Sequence, residues 1–257
     1  MNIFRRVKGF IAQDKKLQII RRWERYESYF HRNDLNRLAE IFKTDKNGIH
    51  HYTQHYQFHL NQIRKKPINL LEIGVGGYEN PKSGSHSLRM WKAYFPKAKI
   101  FAIDVFDKHL LEEPRISIFK GSQVDFDFMK NISAKMGELD IIIDDGSHIN
   151  SHVIDTFKFM FPLLKKNGIY FIEDTQTSYW PEMGGTSEVF NNCNSIMGYF
   201  KSLVDGLNYQ EFEKPGYKPD YLDLNITSIH FYHNLIVICK GLNNESSNFM
   251  VNNRKPS

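Results

Sequence analysis

The sequence predicts an α/β fold: a seven-stranded, mostly parallel sheet with a helical extension ahead of it. Three observations lead there. From Pro67 onward, short apolar runs alternate with amphipathic segments, the pattern of β-α units that feed a parallel sheet. The first run enters a glycine-rich turn, and two later runs end in acidic residues, at the strand ends where doubly wound sheets bind ligands. With 257 residues, 41% of them hydrophobic, the chain can bury one large core.

Ahead of the sheet, Ile3, Phe4, Val7, Phe10 and Ile11 fall at helical spacing among Arg5, Arg6 and Lys8. A second basic stretch surrounds Arg21, Arg22 and Arg25, so two amphipathic helices are expected within an extension spanning residues 1–40. Their expected use is packing on the body or on a sister subunit of a homo-oligomer, ahead of contact with an anionic membrane. Residues 1–37 hold ten Lys/Arg against four Asp/Glu, more than the whole chain's net +5, which leaves the rest near neutral at −1. A nucleic-acid enzyme lines its groove with bases, so that class is set aside.

Candidate strands are Asn69–Ile73, Ile100–Ile103, Ile116–Lys120, Leu139–Ile143, Ile169–Ile172, Ile226–Tyr232 and Leu235–Lys240, the last two forming an antiparallel hairpin across His233–Asn234. Between the fourth and fifth, Val153, Phe157, Met160, Phe161 and Leu164 supply a helical apolar face. Pro162 interrupts that face and predicts a kink or a short second helix. Residues 177–222, rich in Gly, Tyr, Asn and Pro, read as a long insertion forming a substrate lid on a domain spanning 41–241, and the Asn/Ser-rich tail 242–257 is expected to fray. Cys193 and Cys239 lack C-x-x-C spacing, which argues against a zinc ribbon or disulfide framework and for a reducing cytoplasm. No apolar run approaches the roughly 20 residues that span a bilayer, and no signal peptide is recognised, so a soluble cytoplasmic protein is expected.

The first strand runs through Glu72 into Gly74, Gly76 and Gly77, where glycine lets the backbone approach a ligand. The second ends in Asp104, placed to accept both ribose hydroxyls of an adenosine. A dinucleotide fingerprint requires a third glycine opening a helix, whereas here Tyr78-Glu79-Asn80-Pro81-Lys82 follows. Glu72 would repel a pyrophosphate yet suits the cationic amino-acid end of S-adenosylmethionine, directly or through water. Methyl transfer is therefore favoured over hydride transfer. Gln123, after Gly121-Ser122, is a candidate for the adenine region, and Ser87, Asp144 and Tyr52 complete the cofactor-binding set.

The fourth strand runs into Asp144-Asp145-Gly146-Ser147-His148 and the fifth into Glu173-Asp174. Either alone reads as a turn or a helix cap. Together, at neighbouring strand ends, Asp145, Glu173 and Asp174 offer oxygen ligands to a hard cation such as Mg²⁺. An alcohol is a weak nucleophile, so methylating it benefits from a metal, with Asp145, and from a base, for which His148 is the candidate. His152 adds H-x-x-x-H spacing, but the H-E-x-x-H glutamate is missing and a carboxylate-rich site prefers magnesium to zinc; His152 is read as structural or as a helper. Thr44, Lys46, His51, Tyr52 and Tyr56 would fold over the cofactor as a flap, although Tyr52, Tyr56 and His59 equally suit one packed helix face. Tyr56, Gln176, Tyr179 and Trp180 are the substrate candidates, Trp180 by stacking.

These motifs lie within residues 42–181: Phe42-Lys43-Thr44-Asp45-Lys46, His51-Tyr52-Thr53 with Tyr56, LLEIGVGG, Ser87-Leu88-Arg89-Met90-Trp91, Tyr94-Phe95-Pro96, IDDGSH and IEDTQTSYWP. Together they resemble the macrolide-sugar O-methyltransferases of the mycinamicin type. The resemblance implies a class I, Rossmann-like methyltransferase fold, S-adenosylmethionine and Mg²⁺ as cofactors, Asp145, Glu173 and Asp174 as metal ligands, and His148 as base. The expected partner is a small-molecule sugar or nucleotide-sugar substrate. Abundant Lys, Asn, Ile and Phe suggest a bacterium that decorates a surface polysaccharide, so a nucleotide-linked heptose or other capsule precursor is the expected acceptor. The alternatives are an antibiotic-linked deoxysugar, a non-catalytic glycan-binding scaffold, and a hydrolase binding metal through His148 and His152.

Overall fold

The computed structural model describes residues 18–250; the helix expected over Ile3 to Ile11 lies outside the described residues. The second expected helix is present as α1 (residues 18–30), followed by α2 (Leu35–Phe42) and α3 (Thr53–Leu60). Asp34 caps α2 by accepting the Arg37 N–H at 3.0 Å, which satisfies one of the orphan donors of the first turn. Leu35, Leu38 and Ala39, ahead of the expected boundary at residue 40, are fully buried, so α2 packs into the body of the protein.

The sheet has seven strands in the order β3-β2-β1-β4-β5-β7-β6. They are β1 (Asn69–Ile73), β2 (Lys99–Asp104), β3 (Ile116–Lys120), β4 (Leu139–Asp144), β5 (Leu164–Glu173), β6 (Ile226–Tyr232) and β7 (Leu235–Lys240). The first five are parallel, and β7 runs antiparallel between β5 and β6. The intervening helices are α4 (His86–Tyr94), α5 (Phe126–Met136), α6 (Asn150–Met160), α7 (Ile196–Ser202) and α8 (Tyr221–Asn225). As the proline predicts, α6 gives way to a separate 3₁₀ turn at Phe161–Leu163. Leu164 then opens β5 rather than extending the helical face, so that strand is longer than the apolar run alone indicates.

Parallel strands are covered on both faces, and the pleat divides their side chains between two cores. Leu70, Ile100, Ala102, Ile141 and Ile143 face a core shared with α2, α3 and α4. Leu71, Ile73, Ile103, Ile142 and Ile172 face one shared with α5, α6 and α7. The chain leaves β1 toward β2 on one side and later returns to β4 on the other, so the strand order reverses between β1 and β4. A crevice opens at such a reversal, outside the carboxyl ends of the strands.

The segment 177–222, read from the sequence as a substrate lid, folds as short helical turns, and α7 within it buries Ile196 and Phe200 completely against α6 and the sheet. The tail is anchored where it begins: Asn243 is buried, its Nδ2 donates to the Asp223 carbonyl at 2.9 Å, and its own carbonyl accepts from Tyr209 Oη at 3.1 Å. Both cysteines are free thiols, and among the described residues no helix is long and apolar enough to cross a membrane.

Candidate active site

At the β1/β4 reversal, the Gly74 N–H donates to the Ile103 carbonyl at 2.8 Å and the Asp145 N–H to the Ile73 carbonyl at 3.0 Å, so both strand ends are pinned edge to edge. Gly74 sits at φ +99°, and a Cβ there would lie 2.1 Å from the Asp145 carbonyl oxygen. Glycine is required by both conformation and space. A cleft of about 620 Å³ opens above, lined by Gly74, Gly76, Ser87, Asp104 and Gln123 on one side and by Asp145, His148 and Asp174 on the other. Asp104 is held rigidly, Oδ2 accepting from the Val75 N–H at 3.0 Å and Oδ1 from the Phe106 N–H at 2.8 Å. Gln123 lines the cleft with its polar atoms committed: Oε1 accepts from the Ser147 N–H at 2.9 Å, and Nε2 donates to Thr156 Oγ1 at 3.1 Å and toward Asp144 at 3.2 Å.

The acidic end forms one group. Asp145, His148 and Asp174 each place a ligand atom within 4.8 Å of the others. His148 Nε2 stands 3.9 Å from Asp145 Oδ1 and 3.6 Å from Asp174 Oδ2. Both His148 (φ 55°) and Asp174 (φ 54°) adopt the left-handed conformation, strained for a residue with a side chain and persistent only where surroundings enforce it. His152 lines the same wall with Nδ1 3.1 Å from Ser147 Oγ. It is absent from the metal-capable group, so the geometry pairs His148 with carboxylates and not with the H-x-x-x-H partner.

Several expected contacts are corrected. Glu72 shares its sheet face with Leu70, so it points into the core, fully buried, with Oε2 accepting from Trp91 Nε1 at 3.0 Å. It has no surface to offer a cofactor, and burial pushes its carboxyl up to about 7. Asp144 is likewise buried beneath Gln123, and burial raises it to about 7. Tyr52 and Tyr56 are sealed in the core and hold acids instead of ligands. The Tyr52 hydroxyl lies 2.8 Å from Asp174 Oδ1, and the Tyr56 hydroxyl donates to Glu173 Oε1 at 2.5 Å.

Glu173 itself is buried and stands outside the Asp145–His148–Asp174 group. Its Oε1 accepts from Lys46 Nζ at 2.6 Å, and the same ammonium donates to Asp145 Oδ2 at 2.8 Å and approaches Glu72 Oε1 at 3.4 Å. Burial alone would depress the lysine, but the three carboxylates outweigh it and hold Lys46 well above its ordinary value. The segment expected as a flap is thus packed as a wall, and Lys46 is its cationic keystone. Nor do the expected substrate residues line the cleft. Gln176 keeps its Oε1 buried without a partner among the described residues, while Tyr179 and Trp180 stand exposed, Tyr179 meeting Phe190 edge-on at 6.2 Å.

No family model matches the chain. Curated relatives do. The chain is 42% identical over 214 residues to the mycinamicin VI 2''-O-methyltransferase of Micromonospora griseorubida, covering 82% of this chain and 54% of that protein. It is 44% identical, with the same coverage, to the demethylmacrocin O-methyltransferase of Streptomyces fradiae. Among solved structures, the MycE methyltransferase of the mycinamycin biosynthetic pathway, in complex with Mg and SAH, superposes with a TM-score of 0.80 at 42% identity, covering 83% of this chain and 55% of that one. The chain therefore spans about half the length of the relatives it matches. With this identity across four-fifths of its own length and a shared class I fold, the chain belongs to the family of the mycinamicin-type sugar O-methyltransferases.

Proposed function

We propose that the protein transfers a methyl group from S-adenosylmethionine to a sugar hydroxyl, with Mg²⁺ held at the acidic end of the cleft. The carrying observation is the convergence of Asp145, His148 and Asp174 beside the glycine-lined cleft. Two carboxylates suit a hard divalent cation, and the cleft has the volume of a small-molecule site, in whose lining Asp104 would accept from a ribose. When bound, S-adenosylmethionine supplies the methyl group and Mg²⁺ the positive charge that favours ionisation of the hydroxyl.

The chain's residues do the rest. Asp145 and Asp174 would hold the metal, oriented by Lys46 and Tyr52, while Glu173 anchors Lys46 behind them. His148 Nε2, facing both carboxylates, would accept the proton of a sugar hydroxyl brought to this end of the cleft. Asp104 and the turn at Gly74 and Gly76 position the methyl donor. As acceptor we favour a deoxysugar already attached to a small-molecule aglycone. The relatives named for a defined sugar position act on macrolide and tetracenomycin glycosides, and none supports the nucleotide-linked heptose or capsule precursor expected from composition.

Incubating purified protein with S-adenosylmethionine and a panel of deoxysugar glycosides tests this, mass spectrometry reading the gain of one methylene. Activity should vanish with EDTA and return with MgCl₂. Full turnover in a metal-stripped sample would refute the metal role.

A further inference from the structure

A second cavity, of about 330 Å³, lies between α1 and α4 on the β3 side of the sheet, away from the acidic end of the cleft. Six basic side chains line it, Arg21, Arg25, Arg32, Arg89, Lys92 and Arg115, against Glu24 and Glu113. Two of the six have explained roles. Arg115 donates to the carbonyls of Phe95, Ala98 and Lys92, at 2.8 to 3.0 Å, and Lys92 pairs with Glu113 at 2.6 Å. Among the described residues, Arg21, Arg25, Arg32 and Arg89 are left facing one carboxylate, Glu24, whose Oε2 comes no closer than 3.9 Å to Arg89 Nη1.

Among the described residues, two donors there are buried without an acceptor, the Nε atoms of Arg21 and Arg89, and Glu24 Oε2 is buried beside them without a donor. The remaining contact of Arg89 does not relieve it. His86 Nδ1 lies 2.7 Å from the Phe42 carbonyl, which requires a proton on that nitrogen, so the same atom cannot also accept from Arg89 Nη2 at 3.3 Å. Burial, aided by the like charge of Arg21 and opposed by Glu24, draws Arg89 below its ordinary value. Buried guanidinium donors without acceptors are costly, and such sites persist where an anion completes them.

We propose that this cavity is a binding site for the phosphate group of a small soluble molecule, gripped by Arg21 and Arg89 and closed by Arg25 and Arg32. The planar guanidinium forks suit phosphate oxygens, and Tyr29 and Phe42 in the wall would flank an organic remainder. Because His86 lines the main cleft and Arg89 the second cavity, three residues apart on α4, occupancy of one site borders directly on the other.

Pyrophosphate titrated calorimetrically into the full chain in chloride buffer tests the site. Saturable one-to-one binding is expected, weakened at least tenfold in Arg21→Gln and in Arg89→Gln and unchanged in Arg22→Gln, whose exposed side chain lies outside the cavity. Without anion, Arg21→Gln should melt no lower than wild type, since it removes like-charge repulsion; a large loss would mark the arginine as structural and overturn the proposal. Sedimentation with phosphatidylglycerol vesicles separates the sources. Vesicle binding without pyrophosphate binding would move the phosphate onto a lipid and overturn the soluble ligand. Absence of saturable pyrophosphate binding, or equal weakening in Arg22→Gln, would overturn the site.

Discussion

Replacing Lys46 with methionine keeps the bulk of the side chain and removes the ammonium that three acids share. Lys46 is fully buried, with Nζ 2.6 Å from Glu173, 2.8 Å from Asp145 and 3.4 Å from Glu72, and both glutamates are themselves buried. Deleting one partner of a buried ion pair leaves uncompensated charge and costs about 3–5 kcal/mol. For a chain of this size each kcal/mol shifts the melting temperature by about 2–4 °C, so Lys46→Met should melt about 6–20 °C below wild type at pH 7. The pH dependence fixes the cause. Without the ammonium, Glu173 and Glu72, already raised by burial, titrate still higher in the folded protein, so the variant binds extra protons only above the wild-type range near 7. Its deficit should therefore widen between pH 7 and pH 9, and added MgCl₂ should raise the melting temperature of the variant more than that of wild type. Scanning calorimetry of both proteins at the two pH values measures this. A fall of less than about 2 °C at pH 7, or a gap that stays constant at pH 9, refutes the keystone role.

Other expectations bear on separate parts of the molecule. His148→Ala should bind S-adenosylhomocysteine with unchanged affinity while turnover falls by about 10²–10⁴, the usual contribution of a general base; unaltered turnover would remove His148 from that role. Gly74→Ala forces a Cβ onto the Asp145 carbonyl at a positive φ, so soluble yield and cofactor affinity should both drop, and a variant indistinguishable from wild type in calorimetry would contradict the packing described. Away from the site, burial together with His230 and His55 lowers His59 to about 4. Between pH 4 and the ordinary histidine value of about 6.5 the unfolded chain binds the extra proton, so His59 contributes stability at neutral pH that is lost as the solution is acidified through that window. His59→Phe should flatten that part of the melting curve against pH, and an unchanged slope would discount the contribution.

The sheet was legible because each parallel strand is an apolar run bounded by turn residues, and the acids at the ends of β4 and β5 were legible because strand ends are where such folds bind ligands. What escaped was direction and distance. Glu72 alternates with Leu71 and Ile73, and its parity with Leu70 already placed it on one face of the sheet, but only the helices packed there reveal that the face is sealed. Lys46 reaches acids 99 and 127 residues away, and Tyr52 and Tyr56 reach theirs across 122 and 117, so nothing local in the sequence marks their partners. Their helical spacing correctly allowed a packed face; the hydroxyls at its edge turn that packing into support for the acids. Composition gave no sign that α7, within the expected substrate lid, is rooted in the core, and the relatives' names lend no support to the capsule precursor it suggested as acceptor.

The twin left-handed turns at His148 and Asp174 set a rule for anyone who would toughen this protein. Glycine at either position would relax the main chain, and a design procedure that scores stability alone would choose it. Both exchanges would delete the groups proposed to accept the proton and hold the metal. Robustness is better sought elsewhere, at exposed positions such as Ile49 or Phe58, leaving these two uncomfortable residues alone.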